Sequence, residues 1–155
     1  MIDRTLVDSF TGFVLETEPG LKQALCATFG RDRGLEATAE ALTYAWENWE
    51  IIQTLDSPVG YLYGVGRNKA RSWARRDRPY FPAAPASHEP RVEPGLSDAL
   101  GRLSDRQRAA VMLVYCFDWT FSEAAEVLGV SKATLQQHAV RGLRKLRRAM
   151  GVAHE

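Results

Sequence analysis

The chain has 155 residues, 45% of them apolar and 25% charged, which is ordinary soluble composition and room for one or two small domains. No apolar run approaches the roughly 18–20 residues that span a bilayer, so membrane insertion is not expected. The net charge of +1 hides an asymmetry: residues 1–66 hold ten Asp/Glu and four Lys/Arg, whereas residues 67–78 hold six Lys/Arg and one Asp.

The chain begins MIDRTLVDSFTGF, without a basic stretch and apolar core, so no signal peptide is read there. Residues 3–16 set Leu6, Phe10, Phe13 and Val14 on one helical face. Pro19 predicts a stop and restart, with Leu21, Leu25 and Phe29 continuing the stripe. GRDRG (30–34) reads as a loop. From Leu35 to Trp49 a second helix is expected, with Leu35, Ala39, Leu42, Ala45, Trp46 and Trp49 inward. After a link over 50–57, Ser57 and Pro58 are fitted to cap and start a helix to about Arg76. Tyr61, Leu62, Val65 and Trp73 are expected inward on it. Arg67, Arg71, Arg75 and Arg78 fall four, eight and eleven residues apart from the first, as one basic stripe.

Residues 79–96 hold five of the seven prolines and read as an extended linker without a core of its own. The expected organisation is therefore an all-α chain: a helical domain over 1–78, a linker over 79–96 and a second helical domain over 97–155. In the second domain, 97–103 reads as a short helix, and Ser104 caps a helix to Cys116 with Ala109, Ala110, Leu113 and Val114 inward. Cys26 and Cys116 sit in helical apolar patterns and are read as buried free thiols of a reducing cytoplasm.

The stretch from Phe121 to Leu146 reads as two helices around a short turn. Ala124, Ala125, Val127 and Leu128 give the first its apolar face. Gly129 suits the positive φ that often follows a helix end, and Ser131 is a good N-cap for the next helix. That second helix sets Leu135, Ala139, Gly142, Leu146 and Met150 on one side. From Ser131 to Met150 there are six Lys/Arg and no Asp/Glu. This is a helix-turn-helix whose second helix is built for duplex DNA, and with the 67–78 stripe it suggests two nucleic-acid contacts. Two solvated surface helices are the plainer alternative.

The order of these pieces resembles a bacterial RNA polymerase sigma factor of the sigma-70 family, extracytoplasmic-function group. ALTYAWENW followed by PVGYLYGVGRNKARSWARR looks like region 2 of that family. LSDRQRAAVMLVYCFDWTFSEAAEVLGVSKATLQQHAVRGLRKL looks like region 4. The resemblance implies that region 2 grips core RNA polymerase and opens the −10 element of promoter DNA. Region 4 would read the −35 element, and an anti-sigma factor would hold the chain inactive. Glu36, Ala39 and Glu40 match positions of the polymerase-binding helix, although the family's usual Gln there is Ala39. The segment from Glu47 to Ser57 matches the loop that captures a flipped −10 base, which makes Asn48 a candidate. Cytoplasmic location, on the nucleoid when active, follows from the same resemblance.

On the recognition helix, Lys132, Ala133, Gln136, Gln137 and Val140 can face base edges, and Thr134 is a further candidate for DNA contact. Gln suits bidentate contact with adenine, and Ala or Val can touch a thymine methyl. Arg141, Arg144, Lys145 and Arg148 are expected on phosphate, which fixes register without reading sequence. The family's frequent Lys/Arg-Ser-Arg is Gln136-Gln137-His138 here, so the usual −35 sequence is not assumed. For the −10 strand the candidates are Arg67, Asn68, Arg71, Arg75 and Arg76. Trp46, Trp49, Tyr61 and Trp73 could stack bases, but their helical spacing favours core packing. His88, His138 and His154 have no metal-ligand spacing, and GVGRNK lacks the spacing of a phosphate loop. Neither catalysis nor a cofactor is expected. A regulator that binds duplex DNA without polymerase is the alternative.

Overall fold

The computed structural model describes residues 3–74 and 95–151, and the described residues are helical throughout, joined by turns. Residues 79–94 of the linker expected over 79–96 and the candidates Arg75 and Arg76 lie outside them, as do Arg78, His88 and His154, while Leu96, expected in the linker, already starts a helix. The helices are α1 (Arg4–Phe29), α2 (Arg31–Glu47), α3 (Trp49–Ile52), α4 (Pro58–Ala74), α5 (Leu96–Gly101), α6 (Asp105–Val111), α7 (Phe121–Leu128) and α8 (Lys132–Ala149).

α1 runs unbroken through Pro19, where the sequence predicts a stop. A proline inside a helix leaves the carbonyl four residues earlier without its N–H. That carbonyl belongs to Leu15, which is 74% exposed, so water can serve it. The helix ends at Gly30 with φ +86°, and α2 starts at Arg31, so the expected GRDRG loop shrinks to one residue.

Such a tight corner presses α2 onto α1. A Cβ on Gly34 would lie 2.4 Å from Cys26 Cα and 2.5 Å from its backbone nitrogen. Consequently α2 turns its small residues inward: Gly34, Ala37, Thr38, Ala41 and Ala45 are buried. Leu35 and Trp46, expected inside, are 41% and 39% exposed, and Ala39 is exposed as well. There is no depth for large side chains where the two backbones meet. Gly34→Ala should therefore lower stability by about 1–3 kcal/mol through overpacking, read as a lower midpoint in thermal or urea unfolding. Gly12→Ala, with nothing within 4 Å of its Cβ, is the control and should not lower it.

α4 starts as expected, with Ser57 Oγ accepting from Gly60 N–H at 3.3 Å. Its buried face is Leu62, Tyr63, Gly66 and Ala70, while Tyr61 points outward at 46% exposure. Among the expected stacking aromatics only Trp49 is fully buried, with its ring centroid 5.4 Å from Phe10 and 4.9 Å from Phe13.

In the C-terminal half, Ser104 and Gln107 form a reciprocal capping box that opens α6. The expected helix to Cys116 closes as a π-helical turn over Met112–Cys116, with Phe117 N–H donating to Met112 C=O at 3.1 Å. The widened turn leaves Cys116 exposed and Cys26 is only half-buried, so neither is the buried thiol the pattern suggests. Asp118 takes φ +58°, a conformation Asp tolerates better than most residues, and turns the chain towards α7. A second capping box, Thr120 with Glu123, starts α7. Gly129 follows α7 with φ +69°, and Ser131 Oγ accepts from Thr134 N–H at 3.1 Å to start α8. Leu135, Ala139, Gly142 and Leu146 are the buried face of α8, as the spacing predicts.

The two halves pack together. One apolar core runs from Leu21, Leu25 and Leu62 through Ala109 and Leu113 to Ala124, Leu135 and Ala139. α1 touches both α6 and α7, and α4 touches α7.

Candidate nucleic-acid interface

The second helix of the helix-turn-helix presents a continuous polar face. Lys132, Ala133, Gln136, Gln137, Val140, Arg141, Arg144, Lys145 and Arg148 are all exposed, with Val140 at 52%. Among the described residues, none of the cations on α8 is paired with a carboxylate. Thr134 differs: it is half-buried, and its hydroxyl accepts from Ser131 Oγ at 2.8 Å within the helix cap. His138 also turns away from its glutamine neighbours. Its Nε2 is buried without a hydrogen-bond partner among the described residues. Burial, then the charges of Arg106 and Arg141, hold the His138 imidazole below its usual range. Gln136 and Gln137 therefore stand on the exposed face, and His138 is not placed beside them.

The depth of α8 in its own half is set by Gly142. A Cβ there would lie 2.7 Å from Val111 Cγ2 and 3.1 Å from the Gln107 carbonyl. α8 thus lies close against α6, which keeps its basic face outward.

Candidates of the N-terminal half fall in three places. Glu36, Ala39 and Glu40 are exposed on the outer face of α2, beside the exposed Leu35 and Trp46. Asn48 sits at the end of α2, half-buried, with its side-chain amide donating to Tyr44 C=O at 3.0 Å. It lines a hollow of about 610 Å³ with Leu6, Trp46, Trp49 and Ile51. Asn68 is exposed on α4.

Arg67 and Arg71 stand apart from these, because they meet the C-terminal half. Arg71 Nε donates to Asp105 Oδ2 at 2.7 Å. Arg67 Nε lies 4.0 Å from the same oxygen, buried and without a hydrogen bond. Burial, then Arg71 and Arg106, pull Arg67 down from the usual guanidinium range. Asp105 also accepts from Arg108 Nη2 at 3.0 Å on its other oxygen. Arg108 is 7% exposed and reaches across the junction: its Nε donates to Thr28 C=O of α1 at 2.6 Å. Its Nη1 donates to Leu100 and Leu103 C=O at 3.2 and 3.0 Å. Thr28 in turn shares a 2.8 Å hydrogen bond with the Tyr63 hydroxyl, whose pKa is pushed up to about 12, chiefly by burial. Trp119 Nε1 closes the other side, donating to Gln23 Oε1 at 2.7 Å.

Sequence reasoning missed Asp105, Arg108, Thr28, Gln23 and Trp119 as a group. The first two could be noticed only as a charged pair at the start of a helix, and nothing local says what they meet 34 residues away for Asp105 and 80 for Arg108.

The described residues form a bundle of helices carrying a helix-turn-helix with an exposed basic face, the architecture with which many proteins dock on duplex DNA. Residues 95–146 match the family of sigma-70, region 4. The chain is 34% identical over 105 residues to RNA polymerase sigma factor CarQ of Myxococcus xanthus, with 60% of each covered. The chain thus spans 60% of the length of that curated relative. Its fold is similar to that of the sigma factor RpoE from Bartonella quintana, solved in complex with the anti-sigma factor NepR. The TM-score is 0.62 at 20% identity, covering 94% of this chain and 99% of that one.

Proposed function

We propose that this chain is a sigma factor of the extracytoplasmic-function kind, which directs RNA polymerase to specific promoters and assists −10 melting. The observation that carries this reading is the outward face of α8, with its exposed glutamines and exposed cations, most of it within the stretch that matches region 4. Residues 1–78 act as region 2, residues 97–155 as region 4, and the segment between them as the linker. Glu36, Ala39 and Glu40, with the apolar surface of Leu35 and Trp46, form the polymerase-binding face of α2. Arg67, Asn68, Arg71, Arg75 and Arg76 hold the −10 strand by its phosphates. The hollow beside Asn48 takes an unstacked base.

In this role the chain is not an enzyme. It supplies binding energy and strand capture, and the polymerase carries out the chemistry. Its place is the cytoplasm, on the nucleoid when active, with core RNA polymerase and promoter DNA as partners and an anti-sigma factor as antagonist.

Run-off transcription with purified core polymerase on a promoter library tests the reading. Specific initiation is the expected result. DNA binding without initiation would favour a regulator that acts without polymerase. Gln136→Ala should shift base preference at one −35 position by roughly 1–3 kcal/mol in a binding selection. An unchanged preference would remove Gln136 from the reading set.

A further inference from the structure

We propose that the compact arrangement is a self-masked state, in which Asp105 of the C-terminal half occupies Arg67 and Arg71 and keeps them from single-stranded DNA. The proposal rests on the assignment of α4 to the −10 strand. A carboxylate and a phosphate oxygen compete for the same guanidinium groups, since each offers an anionic acceptor. Arg71 has its Nε satisfied by Asp105 at 2.7 Å although half of its side chain is exposed, so a phosphate that takes the guanidinium by Nε must displace that contact. Arg67 has gained less: its Nε is buried, 4.0 Å from the carboxylate and without a hydrogen bond. The compact state therefore withholds Arg67 without satisfying it. A strand bound along α4 would satisfy both groups and remove the reason for Asp105 to stay.

The mask is held by shape as well as charge. α4 and α7 meet backbone to backbone at Gly60 and Gly129: a Cβ on Gly60 would lie 2.9 Å from Gly129 Cα and 3.4 Å from the Glu126 carbonyl. Its near neighbour within its own half is Ser57 Oγ, at 2.9 Å, the end of a small exposed side chain. A side chain at position 60 thus acts as a wedge between the halves, and it changes no charge. Trp119 against Gln23 and Arg108 against Thr28 are further polar ties across the junction. Binding of a strand, or of a partner that separates the halves, breaks all of them together, which makes the release a single step.

The full-length chain carries the test, with a fluorescent 20-nucleotide single strand of random sequence as probe. Asp105→Asn is compared with Asp98→Asn, an equal charge change at an exposed position. Asp105→Asn should bind about tenfold more tightly than Asp98→Asn at low salt. Gly60→Leu is compared with Gly64→Leu, whose Cβ meets nothing within 4 Å. Gly60→Leu should raise the radius of gyration in small-angle scattering. It should also steepen the log–log salt dependence of binding by about 1.4, from two phosphate contacts at ~0.7 each. Adding Arg67→Gln and Arg71→Gln to it should abolish the gain. Should Asp105→Asn fail to fold, because Arg108 loses its counter-charge, Gly60→Leu decides alone. Either folded variant binding no more tightly than its control overturns the mask. Failure of the promoter reading would show elsewhere, as absence of run-off product from the parent chain with core polymerase.

Discussion

Arg108→Met should cost about 3–5 kcal/mol of folding stability, more than any surface substitution in this chain. The guanidinium is 7% exposed, yet it serves three carbonyls and one carboxylate. Two of those carbonyls, of Thr28 and Leu100, lie in the final turns of α1 and α5, where the helical ladder runs out, and Leu100 C=O also accepts from Leu103 N–H at 3.2 Å. A cation is the suitable cap there, because carbonyl dipoles point at it from both helix ends. Burial alone would push Arg108 to give up its charge, and indeed pulls it down from its usual range, but Asp105 opposes that shift. Methionine matches much of the stem volume and removes every donor. It leaves Thr28, Leu100 and Leu103 without this partner and Asp105 without one of its cations. Chemical denaturation should show the midpoint falling at nearly unchanged m-value. Arg108→Lys should recover only part of the loss, since one ammonium cannot match the planar fork that spans two helix ends. Retention of parent stability by Arg108→Met would mean that water serves those carbonyls equally well.

Local chemistry was legible in the sequence and long-range chemistry was not. The N-caps at Ser57, Ser104 and Ser131, the positive φ at Gly129 and the apolar face of α8 follow from rules acting over three or four residues. Thr120 with Glu123 obeys the same rule and could have been found by it. The inward face of α2 could not, because large apolar residues are ordinarily assigned inward. Here the contact of Gly34 with Cys26 sets a helix spacing that admits only Gly, Ala and Thr. Tyr61 differs for a related reason: Gly66 lies against Leu25 and turns Tyr63, beside the expected Leu62, to the core in its place. For the candidate site, the exposed recognition face was readable because one helix carries all of it. The position of Arg67 and Arg71 against Asp105 was not, since it depends on how two halves separated by a proline-rich stretch meet. A stripe of arginines looks the same in sequence whether it awaits a phosphate or already holds a carboxylate.

Replacing Arg141, Arg144 and Arg148 together by Ala should weaken binding to a random 30-base-pair duplex on the order of 10²-fold at 50 mM salt. These side chains are exposed and take no part in the buried face of α8, which consists of Leu135, Ala139, Gly142 and Leu146. Alanine also favours helix more than arginine does, so circular dichroism should report an intact fold. The distinguishing readout is the salt dependence. Each phosphate contact on duplex DNA contributes about 0.9 to the slope of log affinity against log salt, so three lost contacts should flatten it by about 2.7. Gln136→Ala should do the opposite, changing preference among sequences while leaving the slope alone, because a base-edge contact releases no condensed counterion. The two effects thus separate positioning from reading on a single helix. A slope unchanged in the triple variant would mean that α8 carries its cations for solvation only, and would leave the helix-turn-helix without its electrostatic half.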